Sequence, residues 1–241
     1  MLVSAVVCPH PPLLLPGLTG SADVAADLRT ACLAAVEEMV GARPDRVVVI
    51  GGDGKTAAWD PRTPVDPSPY GGTAARLGAP VPRLPLSLQV GRTLVDASSW
   101  SGEVALQAIA MDASPVECTA LGADLVAGAR TALLVMGDGS ARRGLKAPGY
   151  VDDRAQEFDA RVVEALAAGD AATLAALEPG TAAELLVAGR AAWQVLAGAL
   201  GAGRATGRVL HADDPFGVLY LVASWTPTGT SSPAATSSPP G

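Results

Sequence analysis

The chain has 241 residues, 49% of them hydrophobic and 17% charged, with a net charge of −7. That length allows one large core or two small ones, and the acidic balance weighs against nucleic acid as a partner, because phosphate binding needs a basic surface. No apolar run reaches membrane-span length and no charged segment precedes an apolar leader, so the expectation is a cytoplasmic protein with no membrane partner.

Leu2 to Val7 is an apolar run of strand length. It breaks at Cys8-Pro9-His10-Pro11-Pro12, where the prolines forbid helix and deny a ladder its N–H groups. His10 is therefore held on a stiff corner at a strand end, where α/β proteins place their ligands. A Pro-rich loop with a solvated His is the plainer alternative. Gly17 to Ser21 reads as a turn, with Ser21 as a helix cap and Asp23 in the first turn. Val24, Leu28, Cys32, Ala35, Val36 and Met39 follow at helical spacing up to Gly41 and Pro44. Arg46 to Ile50 is a second strand, breaking at Gly51-Gly52-Asp53-Gly54. Strand, helix and strand with short links form a βαβ unit. The two strands should run parallel and bring the His10 corner and the Asp53 turn together as neighbours.

Thr56 to Pro85 is rich in Pro and Gly, and a connection this long is either a functional lid or disorder. Leu86, Leu88 and Val90 alternate as a strand, with a short helix at Leu94 and Val95. Val104 to Ala110 is a further strand, Pro115 to Ala127 a helix, and Thr131 to Met136 a buried strand ending in Gly137-Asp138-Gly139-Ser140. Ala141 to Val151 carries Arg142, Arg143 and Lys146 and reads as a mobile basic loop. Helices are expected over Asp153 to Ala168, Asp170 to Leu177, and Pro179 to about Leu200. Gly207 to Ala212 and Val218 to Trp225 form an antiparallel pair across Asp213-Asp214-Pro215-Phe216-Gly217. The expected fold is α/β: one domain over residues 1–225, with a mainly parallel central sheet, helices on both faces and a C-terminal antiparallel strand pair. Residues 226–241 are a low-complexity Pro/Ser/Thr-rich stretch read as a disordered tail.

Three local motifs carry little chemistry. Gly54-Lys55-Thr56 lacks the earlier glycine of a phosphate loop and is not followed by a helix. Cys8 and His10 supply at most two metal ligands from one turn, and Cys8, Cys32 and Cys118 show no paired spacing. The Arg142-Arg143-Lys146 cluster suits an anionic ligand or a solvated loop. The better constellation is dispersed. His10, Asp53, Asp138 and Asp213 each follow an expected strand, and a strand-end ring of carboxylates around one imidazole is how mixed nitrogen/oxygen metal sites are built. An Asp after a strand also caps turns and helices, so spacing leaves both readings open.

Val7-Cys8-Pro9-His10-Pro11-Pro12-Leu13-Leu14 resembles the opening PHPPLL signature of the class III extradiol ring-cleavage dioxygenase catalytic (B) subunit family, in particular its single-chain members. Gly137-Asp138-Gly139-Ser140 resembles that family's Gly-Asp-Leu-Ser-His segment, and Asp213-Asp214-Pro215-Phe216-Gly217-Val218 its Glu-x-Pro-Phe-Gly-Val. The helix with Glu157-Phe158-Asp159 fits as well. The matches keep the family's order over residues 1 to 225. The resemblance implies ferrous iron held by two His and one Glu, with a further His as acid/base. His10 matches the first ligand. The second His falls at Asp53, the Glu at Asp213 and the acid/base His at Ala141. Cys8, Gly52, Asp138, Ser140 and Asp214 are expected around the pocket. His211 lies one strand pleat from Asp213 and is the candidate catalytic imidazole.

The resemblance thus implies a dioxygenase-like protein with an eroded iron site, binding a small molecule or a divalent ion without efficient ring cleavage. Iron is the metal by resemblance; magnesium, manganese or calcium suits the harder ligands; binding no metal at all is a third expectation. Two alternatives stand beside this reading. One is an active metal-dependent oxygenase or hydrolase using His10, Asp53 and Asp213, and the other is a non-enzymatic scaffold or interaction protein.

Overall fold

A computed structural model describes residues 1–19, 23–72 and 83–228. The elements in chain order are β1 (Leu2–Cys8), α1 (Ala26–Gly41), β2 (Arg46–Asp53), β3 (Ala57–Trp59), α2 (Leu86–Asp96), β4 (Glu103–Ala110), α3 (Pro115–Leu125), β5 (Thr131–Met136), α4 (Arg154–Ala168), α5 (Ala171–Ala175), α6 (Pro179–Glu184), α7 (Arg190–Leu200), β6 (Arg204–Asp213) and β7 (Tyr220–Thr228). The strands form one seven-stranded sheet in the order β3-β4-β2-β5-β1-β7-β6. The inner four, β4, β2, β5 and β1, are mutually parallel. The edges are antiparallel, with β3 on β4 and the β6–β7 pair on β1. This is the expected α/β architecture.

Alternation along the strands sorts the core into two layers. Val48 and Ile50, with Ala5, Val7, Leu133 and Val135, face Phe158, Val162, Trp193 and Leu196 of α4 and α7. Val47 and Val49, with Val6, Leu134 and Met136, face Leu28, Cys32, Val36 and Met39 of α1 and Leu88 of α2. A strand covered on both faces is apolar at every position, which is why β2 and β5 read as unbroken Val/Leu/Ile runs. No helix among the described residues is long and apolar enough to cross a membrane.

The structure corrects several expected elements. Leu86 to Val90 is helical, not a strand, and continues as α2 through Leu94 and Val95 to Asp96. The alternating Leu86, Leu88 and Val90 lie in a window too short to separate the two periods, and the helix buries Ser87, Gln89 and Gly91 as well. β2 runs on through Gly51 and Gly52 to Asp53, because its neighbour β4 pairs with every residue up to Ala110. The described part of the Thr56–Pro85 connection is not structureless: Ala57–Trp59 adds an edge strand and Ser68–Tyr70 a 3-10 turn, while residues 73–82 lie outside the described residues. The helix expected over Pro179 to Leu200 is broken at residues 185–189, where Leu186 takes a left-handed φ of 56°. β7 extends past Trp225, with Thr226, Pro227 and Thr228 opposite Thr206, Ala205 and Arg204, so those three residues belong to the sheet. Ser21 and the tail from residue 229 lie outside the described residues.

Candidate functional site

β1, β2 and β5 run parallel, and β6 joins them in direction through antiparallel β7. The segments after all four strands therefore emerge at one edge of the sheet. The register fixes what stands next to what. Gly51 and Cys8 both pair with Met136 of β5. Two residues further on, Asp53, Asp138 and His10 continue in one row with Asp138 in the middle. The expected meeting of His10 with Asp53 does not occur, because β5 inserts between β1 and β2. What His10 meets is Asp138: its backbone N–H donates to Asp138 Oδ1 at 2.7 Å, and its Nδ1 lies 3.7 Å from the same oxygen. Nδ1 is buried and has no hydrogen-bond partner among the described residues.

β7 occupies the other side of His10. Ala223 pairs with Val7, so Tyr220 lies three residues nearer the corner, and Tyr220 pairs with Asp213 of β6. Burial, with the negative Asp138 nearby, pushes the Tyr220 phenol up to about 12. It is a protonated donor at neutral pH. His211 and Asp213 share one face of β6, as expected, and line a cavity of about 110 Å³ with Pro11, Leu13, Phe216 and Tyr220. Phe216 meets the Tyr220 ring edge-on at 6.5 Å.

Three ligand positions expected from the resemblance are thus spread across the edge. Asp53 on β2 and Asp213 on β6 are separated by β5, β1 and β7. At strand spacing that is roughly 19 Å, with His10 about 10 Å from each. Ligands of one ion lie within about 5 Å of each other, since each bond is about 2.0–2.6 Å. Among the described residues no three His, Cys, Asp or Glu side chains are placed to hold a metal ion. His10, Asp53 and Asp213 therefore do not fit a three-ligand iron site.

The expected pocket residues divide. Asp138 adjoins His10, and Asp214 lines a second cavity of about 360 Å³ with Asp213, Arg143 and Asp159. Gly52 packs closely against its neighbours, since an added Cβ would lie 3.0 Å from Met111 and 3.3 Å from the Ala188 carbonyl. Cys8 and Ser140 are wholly buried and are corrected to core positions. Cys8 packs beside Cys32, and burial raises its thiol well above the usual range. Ser140 donates from Oγ to Asp159 Oδ2 at 2.6 Å and from its N–H to Oδ1 at 2.9 Å. Arg143 completes this knot, with Nη1 on Asp159 at 3.0 Å and Nε on Asp214. It is a strut, not part of a loose basic loop. Ala141, the position at which the resemblance implies an acid/base His, packs half-buried against the α1–α2 layer.

Tyr220 and Arg190 went unmarked in the sequence. Arg190 had a readable signal: it is the one charged residue between Glu184 and Arg204, within an apolar run. Tyr220 had none, since a Tyr in a strand reads as packing.

No family model matches the chain. No curated protein matches it either. Among solved structures, the crystal structure of the uncharacterized protein JW3007 from Escherichia coli K12 is similar at a TM-score of 0.54 and 14% identity, covering 93% of this chain and 99% of that one. A likeness at that identity concerns the fold.

Proposed function

We propose that this chain is a small-molecule-binding relative of the extradiol dioxygenases that does not cleave rings efficiently. The observation that supports it is the row at the sheet edge. His10 keeps the family's corner, but its neighbours are Asp138 and Tyr220, while both carboxylates expected as ligands stand about two strand spacings away. The resemblance implies iron, and these residues do not fit it. What the chain offers instead is a set of positioned polar groups. His10 Nδ1 is buried without a partner among the described residues, and the Tyr220 hydroxyl is held protonated by burial, with Asp138 nearby. A small hydroxylated or carbonyl compound seated there satisfies groups that water reaches poorly. Proton transfer is the missing function, because Ala141 has no titratable atom, and losing a positioned acid/base typically costs about 10²–10⁴ in rate.

The test uses catechol, a neutral probe. Catechol titrated into the protein should shift the His10 ring resonances and give a saturable calorimetric isotherm, and a His10→Leu variant should give no isotherm. After anaerobic addition of ferrous iron and then air, the yellow ring-opened product should not exceed the iron-only control. Product above that control from the unaltered chain overturns the reading and favours a metal-dependent enzyme, with His211 as its base.

A further inference from the structure

On the far side of Asp53 from His10, the loops after β4 and between α6 and α7 enclose a cleft of about 540 Å³. It shares no lining residue with the cavity at His211. Its walls are apolar: Met111, Pro179, Ala182, Leu186 and Val187. Two of these are large hydrophobic side chains left open to solvent, Met111 at 55% and Leu186 at 43%. Leu186 also holds a left-handed backbone, φ 56°, that is strained for a residue with a Cβ. Strain of this kind persists where surroundings enforce it, and it clusters at ligand sites.

One cation lines this cleft. Arg190 is 2% exposed. Its guanidinium donates to the carbonyls of Ala113 and Met111 and to Gln194 Oε1. Every one of these acceptors is neutral, and none of the ion pairs among the described residues includes Arg190. Arginine does not shed its proton in a protein, and a buried charge held only by neutral acceptors is costly. Glu178, whose carboxyl is held below its usual range by the Thr181 and Gly180 N–H groups and to a lesser degree by the Arg190 charge, makes no ion pair with that guanidinium. Arg190 also opens α7, whose amino end adds partial positive charge on the same side. The exposed Asp112 at the rim is the one carboxylate lining the cleft among the described residues.

We propose that this cleft binds a small organic carboxylate with an apolar body, its carboxylate on Arg190 and its body against Met111, Leu186 and Val187. The inference goes beyond the His10 reading and does not depend on it. Asp112 sits where it repels such a ligand weakly from solvent, which sets a direction for one variant.

Calorimetric titration of the full chain with 3-phenylpropanoate, and with its neutral amide 3-phenylpropanamide, tests the proposal. The acid should bind roughly 10–100-fold more tightly than the amide, the difference expected of hydrogen bonds to a charged partner. The Met111 methyl resonance should move on titration with the acid. Asp112→Asn should tighten the acid and leave the amide unchanged. Ala183→Trp, at an exposed lining position, should weaken both. Arg190→Gln should abolish the preference for the acid. If that variant does not fold, the acid–amide pair and Asp112→Asn decide. Equal affinity for acid and amide, no binding of the acid at 10-millimolar-order concentrations, or an unmoved Met111 methyl each overturns the proposal.

Discussion

The two ends of the parallel strands are built differently. At the amino end β2 and β5 are tied to each other as they enter the sheet. Asp45 N donates to the Arg130 carbonyl at 2.7 Å, and Arg130 N returns to Asp45 Oδ2 at 2.9 Å. Arg46 reaches Leu125 O at 2.8 Å and Thr131 Oγ1 at 3.2 Å. At the carboxyl end, His10 Nδ1 lacks a partner among the described residues, Leu186 is strained, and Met111, Leu186 and Phe216 stand open to solvent. The cavities lined by Arg190, by His211 and by Asp213 all open there. The amino end is satisfied and the carboxyl end is not, and groups left wanting in a stable fold mark where a ligand completes the structure.

The knot at Asp159 is the exception, and the largest effect is expected there. Asp159 is 1% exposed and takes bonds from Ser140 and Arg143. Asp159→Ala leaves these donors facing a void. The expected loss is about 3–5 kcal/mol in denaturant unfolding. A loss below about 1 kcal/mol would mean the carboxyl end is loose throughout, and the contrast between the ends would be sharper than drawn.

Arg46→Met probes the opposite end. It removes two side-chain bonds while keeping an apolar stem, for a loss of about 2 kcal/mol. In a domain of this size that is about 4–8 °C in melting temperature. Binding of catechol and of 3-phenylpropanoate should be unchanged. A change in either affinity would show that the two ends are coupled and that the contrast is not a division of labour.

The parallel centre and its two core layers were legible because bare Val/Leu/Ile runs bounded by turns have few other readings, as at Arg46–Ile50 and Thr131–Met136. Strand order was not. Nothing local in Leu2–Val7 or Arg46–Ile50 tells that the strand after α3 slips between them. The edge itself followed from strand direction alone, so His10, Asp53, Asp138 and Asp213 were placed on it correctly and paired incorrectly. α2 was missed because five alternating residues fit either period, and the break at Leu186 because no Gly or Pro stands at the strained residue.

Tyr220 gives a smaller effect, read through pH. The unfolded phenol ionises near 10, and the folded one near 12. Between these values the unfolded chain releases a proton that the folded chain keeps. The stability that Tyr220 contributes is therefore complete below pH 10 and is lost as pH rises through 12. In Tyr220→Phe this part of the alkaline slope should vanish, together with one 295 nm absorbance component titrating near 12. A phenol titrating near 10 in the folded chain would place Tyr220 in water and remove it from the satisfied side of the His10 corner.

His10 should show the smallest effect on stability. The corner is shaped by Pro9, Pro11 and Pro12 and by the His10 backbone N–H on Asp138, none of which needs an imidazole. The ring contributes apolar contact and one buried nitrogen without a partner among the described residues. His10→Leu keeps comparable bulk and the backbone bond, and removes the orphaned atom, whose burial costs about 1–3 kcal/mol. The shape mismatch of the branched side chain offsets part of that gain. The net change should fall between zero and about 1 kcal/mol of added stability, up to about 4 °C in melting temperature. Catechol binding should be lost in the same variant. That pairing, stability kept or raised while binding goes, is what a functional group held at a structural cost produces. A loss of more than about 1 kcal/mol would show that Nδ1 is satisfied in solution, making the corner a structural device like Arg46 at the other end of the strands.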